Sequence, residues 1–132
     1  MTLLREYIRR LLESNGSFMP AIGGWFDRQE RAGVFVKEFP EGCEVYLTIS
    51  PKEEDHYIID MIETLGDDCL RKGYASQVMR FVTQAASNNN ITLSLDAEGW
   101  PDGPSNEELQ DWYSDFGFDV DWEGNYGMRR EP

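Results

Sequence analysis

Between Tyr57 and Ala86 an apolar run, a short basic loop and an apolar stripe at helical spacing follow one another without interruption. No other stretch restricts the fold as much. In Tyr57–Leu65 the residues Ile58, Ile59, Met61, Ile62 and Leu65 supply apolar side chains to both faces, which predicts a strand. Ala75, Val78, Met79, Val82 and Ala86 then recur at i, i+3, i+4, i+7 and i+11, one stripe of an amphipathic helix. Leu70-Arg71-Lys72-Gly73-Tyr74-Ala75-Ser76 turns the chain between them. A strand, a glycine-containing loop and a helix start point unpaired backbone N–H groups and the positive end of the helix dipole at one place. Such a place suits an anion, and a pyrophosphate fits it. The same residues also read as an ordinary turn, with Arg71 and Lys72 on a solvated surface.

The flanking chain supplies the rest of a sheet. Leu4, Tyr7, Ile8, Leu11 and Leu12 predict a helix with Thr2 as N-cap and Asn15-Gly16 as its stop. From Ser17 to Arg31 the signal is weak. Phe18, Ile22, Trp25 and Phe26 are apolar and Gly23-Gly24 permits a bend, so a short irregular strand is expected. Val34–Lys37 and Glu44–Ile49 read as a hairpin about Phe39-Pro40-Glu41-Gly42, and Ser50–Asp55 as a charged connection. Beyond the central helix, Asn88-Asn89-Asn90 marks its end and Ile91–Leu95 alternates as a strand with one buried face. A helix separates that strand from Tyr57–Leu65, so the two should pair in parallel through a right-handed crossover. Asp96–Pro104 is a long loop. Ser105-Asn106-Glu107-Glu108 forms a capping box that opens a helix carrying Leu109, Trp112 and Tyr113. Phe118–Trp122 and Tyr126–Arg129 make a terminal hairpin. The expected fold is a single α/β (α+β-like) domain spanning 1–132, with a mixed, mostly antiparallel sheet and a ligand site at its central β–loop–α unit.

Charge narrows the partners. The 132 residues carry a formal charge of −13, which repels nucleic acid and anionic membrane and attracts amines or basic peptides. Arg71 and Lys72 stand nearly alone in an acidic middle, beside the predicted anion site. No apolar run approaches the roughly 18 residues of a membrane helix. The start Met1-Thr2-Leu3-Leu4-Arg5-Glu6 lacks the order of a signal peptide, so a cytoplasmic protein is expected. Cys43 and Cys69 have neither metal spacing nor the numbers of a disulfide framework, and are expected to be free thiols. No metal site is expected.

Two motifs together carry a family resemblance. Leu70-Arg71-Lys72-Gly73-Tyr74-Ala75 resembles the pyrophosphate loop of the GCN5-related N-acetyltransferases (GNAT), written Arg/Gln-x-x-Gly-x-Gly/Ala. Asn106, seven residues before Tyr113, followed by Tyr-x-x-x-Gly-Phe ending at Gly117-Phe118, resembles the family's later motif. The resemblance runs from Tyr57 to about Arg129 and departs at Leu70, where the family places Arg or Gln.

The resemblance implies an acyl-CoA-dependent N-acyltransferase using acetyl-CoA as co-substrate, with no metal. It implies that the backbone of Arg71, Lys72, Gly73, Tyr74, Ala75 and Ser76 holds the pyrophosphate. Strands splaying near Leu65 would bind the pantetheine arm, and Asn106 would bind the cofactor. It implies that Tyr113 protonates the leaving thiolate; by itself Tyr113 also reads as a core aromatic beside Trp112. An alkylamine acceptor needs a base, since only about one in a thousand is neutral at pH 7. Glu63 is the first choice, expected to be semi-buried with a raised pKa, ahead of Asp60 and His56. Trp100 is expected to wall the acceptor site, with Asp96, Glu98 and Asp102 attracting a cation; the same loop reads equally as a rigid, proline-braced surface loop. The acceptor is an amine of a small molecule or a basic peptide, and the protein a monomer or homodimer. The competing class is a non-catalytic module, either an acyl-CoA binder or an acidic, nucleic-acid-mimicking binder of a basic protein.

Overall fold

Strict alternation sets the centre of the sheet. In β3 (Glu44–Glu53) Val45, Leu47 and Ile49 are buried while the residues between them are half-buried, the period of two that a strand with one core face requires. β3 pairs antiparallel with β2 (Val34–Glu38) and with β4 (His56–Leu65), and β1 (Arg28–Arg31) extends the edge. Beyond β4 come β5 (Thr92–Asp96), β7 (Gly127–Arg130) and β6 (Asp119–Val120), so the seven-stranded order is β1-β2-β3-β4-β5-β7-β6. Among the described strands only β4 and β5 are parallel, joined through helix α2 (Tyr74–Asn88). The structure, a computed structural model, describes residues 17–99, 103–120 and 127–132. The expected helix about Leu4–Leu12, the centre of the Asp96–Pro104 loop and the tip of the terminal hairpin lie outside them.

The amphipathic stripe behaves as its spacing requires. Val78, Met79, Val82 and Ala86 are fully buried against the sheet, and Ala75, one turn earlier, is left half-buried at a cleft. Burying those side chains contributes roughly 1.5–3 kcal/mol for each large one. Asn90, with φ 57°, turns the chain out of the helix, and the Ile91 N–H reaches back to the Ala86 carbonyl.

Three expectations are corrected. Residues 17–25 form a helix, α1, instead of an irregular strand. Phe18, Ile22 and Phe26 recur every four residues and are buried, and Trp25 stacks on Phe81 of α2 with ring centres 4.2 Å apart, so α1 lies beside α2. That packing outweighs the low helix propensity of Gly23-Gly24. Ser50–Glu53 continues β3, and the chain reverses only at Glu54-Asp55, where Asp55 has φ 57°. The two cysteines are not free thiols: Cys43 and Cys69 form a disulfide, buried at 0% and 1% exposure. Their spacing of 26 residues gives no sign of this; the fold brings the start of β3 against the loop after β4.

The decisive feature for a site lies between β4 and β5. Their pairing stops at Ile58–Ser94, although β4 runs on to Leu65 and β5 to Asp96. Just past that point β4 carries a bulge: Thr48 faces Met61 but the next β3 residue, Ile49, faces Ile59, so Asp60 is the extra residue. A bulge increases twist and bends its strand. Here it carries β4 away from β5 and opens a wedge.

Candidate functional site

Two clefts adjoin in the wedge. The first, of 330 Å³, is lined by Thr64 at the end of β4, by Cys69, Arg71 and Gly73 of the loop, and by Ala75 and Ser76 at the start of α2. The second, of 190 Å³, has Asp60 and Ile62 of β4 on one side and Asp96 and Glu98 after β5 on the other. Its floor is Leu109 and Tyr113 of helix α3 (Asn106–Ser114). Ala75 and Trp112 line both, so they mark the passage from one to the other.

Gly73 is the N-cap of α2 with φ 79°, a left-handed conformation that glycine takes without cost. No atom lies within 4 Å of where a Cβ would stand on it, so the space over the helix start is open. The first turn of α2 carries no acidic residue, and Gly73 has no side chain with which to cap it. The helix N-terminus therefore faces that space with its own N–H groups. The site residues fit a pyrophosphate on this observation.

The remaining residues of the motif divide. Arg71, with φ 69°, lines the first cleft. Lys72 turns from it to donate to Glu41 at 2.9 Å, a contact that raises the lysine pKa and lowers that of the glutamate. The Tyr74 ring stacks on Phe39, centres 4.3 Å apart. Ser76 Oγ accepts from Trp112 Nε1 at 3.2 Å. Leu70, where the family places Arg or Gln, is 72% exposed at the cleft edge.

Tyr113 sits at the second cleft, 8% exposed between the rings of Trp112 and Phe118, and burial pushes its pKa up to about 12. The capping box expected at Ser105 is present: Glu108 N–H donates to Ser105 Oγ, and Ser105 N–H to Glu108 Oε1. Asn106 Oδ1 accepts the Gly99 N–H at 2.5 Å. A Cβ on Gly99 would strike the Pro104 carbonyl oxygen. Asn106 thus ties Gly99, just beyond β5, to the start of α3.

The base candidates separate. Glu63 is exposed, not semi-buried, and lines neither cleft. The bulge at Asp60 is the reason. It shifts the phase of β4, so that Ile62 and Thr64 face the clefts while Glu63 stands opposite Tyr46 of β3. Leu65, 39% exposed beside Glu44, also lines neither. Asp60 does line the second cleft, its Oδ2 accepting from Ser50 Oγ at 2.8 Å. His56 is buried at the closed end of the wedge, Nε2 2.6 Å from Ser94 Oγ; burial lowers its pKa, helped by Lys52 and Arg129. Trp100 and Asp102 fall outside the described residues. Sequence reasoning passed over Trp112, whose helical spacing from Leu109 reads as core, and over the position of Asp60, which only the bulge decides.

Among solved structures, the anti-CRISPR protein AcrVA5 is 27% identical with a TM-score of 0.53, over 74% of this chain and 97% of that one. AtaTR bound with AcCoA is 16% identical with a TM-score of 0.43, over 74% of this chain and 64% of that one. The fold is GNAT-like. No protein-family model and no curated protein matches the sequence. In the GNAT-like arrangement the splayed parallel pair, the loop after β4 and the N-terminus of α2 form one continuous groove, and the two clefts are its halves.

Proposed function

We propose that this GNAT-like chain is an acyl-CoA-dependent N-acyltransferase, with acetyl-CoA as donor and an amine as acceptor. The observation that carries the reading is the open, N–H-lined space over Gly73 running past Ala75 and Trp112 into an acidic second cleft. Acetyl-CoA supplies an acetyl group activated as a thioester. Backbone N–H groups from Arg71 to Ser76 hold its pyrophosphate, and Arg71 adds a positive charge at the rim. Where β4 has left β5, its backbone is turned toward the gap and orients the pantetheine amide and the thioester carbonyl. Asp60, Asp96 and Glu98 draw an ammonium group into the second cleft, and Asp60 takes its proton directly or through water. The neutral amine attacks the thioester carbonyl, the C–S bond breaks, Tyr113 donates its phenolic proton to the departing sulfur, and the proton lost by the new amide nitrogen returns to Tyr113 through water.

The acceptor that suits the −13 charge is a cationic amine, of a small molecule or of a basic protein. The likeness to an anti-CRISPR protein favours the second, since nucleic-acid-guided effectors hold their nucleic acid in positively charged channels. The same charge supports a second reading, in which the chain binds such a basic surface without chemistry. Calorimetric titration with CoA and acetyl-CoA, on the wild type and on Gly73→Glu, tests the main one. Micromolar-range binding lost in the variant is expected. No binding by the wild type would hand the case to the acidic binder, which predicts salt-sensitive capture of a basic protein by both forms.

A further inference from the structure

The loop between β4 and α2, with the first residue of α2, is tied three times to residues 39–43, the connection between β2 and β3. Cys69 is bridged to Cys43, Lys72 is paired with Glu41, and Tyr74 stacks on Phe39. Residues 66–72 form turns and bends with no strand ladder or helix, while Gly66, Asp68, Arg71 and Gly73 all take left-handed φ values. A segment with that many left-handed residues and no ladder of its own holds one conformation only if its surroundings impose it.

The three ties are unequal. The Lys72–Glu41 pair is exposed and contributes little. The Tyr74–Phe39 stack is only half-buried. The bridge is covalent and buried, and Cys69 itself lines the first cleft. At Gly66 a Cβ would lie 2.6 Å from Cys69 Sγ and 3.0 Å from the Gly42 carbonyl oxygen, so loop and turn are already in close contact there.

We propose that the Cys43–Cys69 bridge is the positioning element of the anion-binding loop, and that its reduction weakens acyl-CoA binding. The inference rests on the acyl-CoA reading of the cleft. With the bridge closed, the N–H groups beyond Cys69 are held toward the space over Gly73. A dithiol donor passes two electrons and two protons to the bridge; the Sγ–Sγ bond breaks, two thiols form, and the donor becomes a disulfide. The loop then samples other conformations, and ordering it again opposes binding. Cys43 and Cys69 are positioning residues, since neither needs to touch the ligand.

The test compares the oxidised protein, the same protein reduced with a phosphine (oxidised to its oxide with the oxygen of water), and the Cys43→Ala/Cys69→Ala variant. Calorimetry with CoA is expected to show affinity lower by about tenfold in the reduced protein and in the variant, below their melting temperatures. The variant should be indifferent to phosphine. Hydrogen exchange without ligand should quicken in residues 66–76 on reduction and stay unchanged in β3 and β5, which a merely structural bridge would not produce. Unchanged CoA affinity and loop exchange after complete reduction overturn the inference and leave the proposed function standing. Two titratable thiols in the native protein as purified also overturn it. Failure of the oxidised protein to bind CoA overturns the proposed function and this inference together.

Discussion

At Gly73 a single side chain separates a groove from a plug. Its φ of 79° means that Gly73→Ala is strained by about 1 kcal/mol even though no atom blocks the new methyl group. A urea titration of Gly73→Ala should show that loss of stability, with a far smaller loss of CoA affinity than Gly73→Glu. Tyr113 is the complementary case. Burial pushes its pKa up to about 12, so it is protonated at neutral pH. Tyr113→Phe is expected to lower kcat by about 10²–10⁴-fold while leaving CoA affinity unchanged. A calorimetric titration beside a thiol-release assay separates the two effects. Glu63→Gln, at a residue that lines neither cleft, should leave kcat unchanged, whereas Asp60→Asn should lower it.

At the scale of elements, the two motifs were legible because each is a local device. The strand–loop–helix unit is announced by a change of period from two to 3.6, and the start of α3 by Ser105 and Glu108. Ser105→Ala should cost about 1 kcal/mol in a denaturant melt. It should also loosen the Asn106–Gly99 clasp next to the cap, read as faster amide exchange at Gly99. The sequence hides helix α1 because two adjacent glycines read as a break. The ring of Phe35, 3.7 Å from where a Cβ on Gly23 would lie, shows how closely the sheet approaches that helix. The phase of β4 is hidden for a different reason. A bulge depends on how two strands register, and no residue in Tyr57–Leu65 declares it.

For the whole molecule, charge and a single histidine make separable predictions. With a formal charge of −13, encounter with a cationic acceptor should slow steeply as salt rises, while the stability of the buried core changes little. His56 is the only histidine and is buried with a lowered pKa. The unfolded chain therefore takes up the proton first as pH falls. Native stability should decline as pH drops through about 6.5 and level off once the folded-state pKa is passed. Urea melts between pH 7.5 and pH 5.5 should show that slope in the wild type and lose it in His56→Gln.

The sequence by itself determined most of the elements, α1 excepted, and the strand–loop–helix unit at their centre, because hydrophobic period, capping residues and a glycine before a helix act over one or two turns. Only the tertiary structure decided which carboxylate reaches the second cleft, that Trp112 stands between the two halves of the groove, and that Cys43 meets Cys69. Each of these depends on registers and approaches between segments far apart in the chain. A one-residue bulge in β4 moves Glu63 away and brings Asp60 to the cleft, and no local property of either residue distinguishes the two.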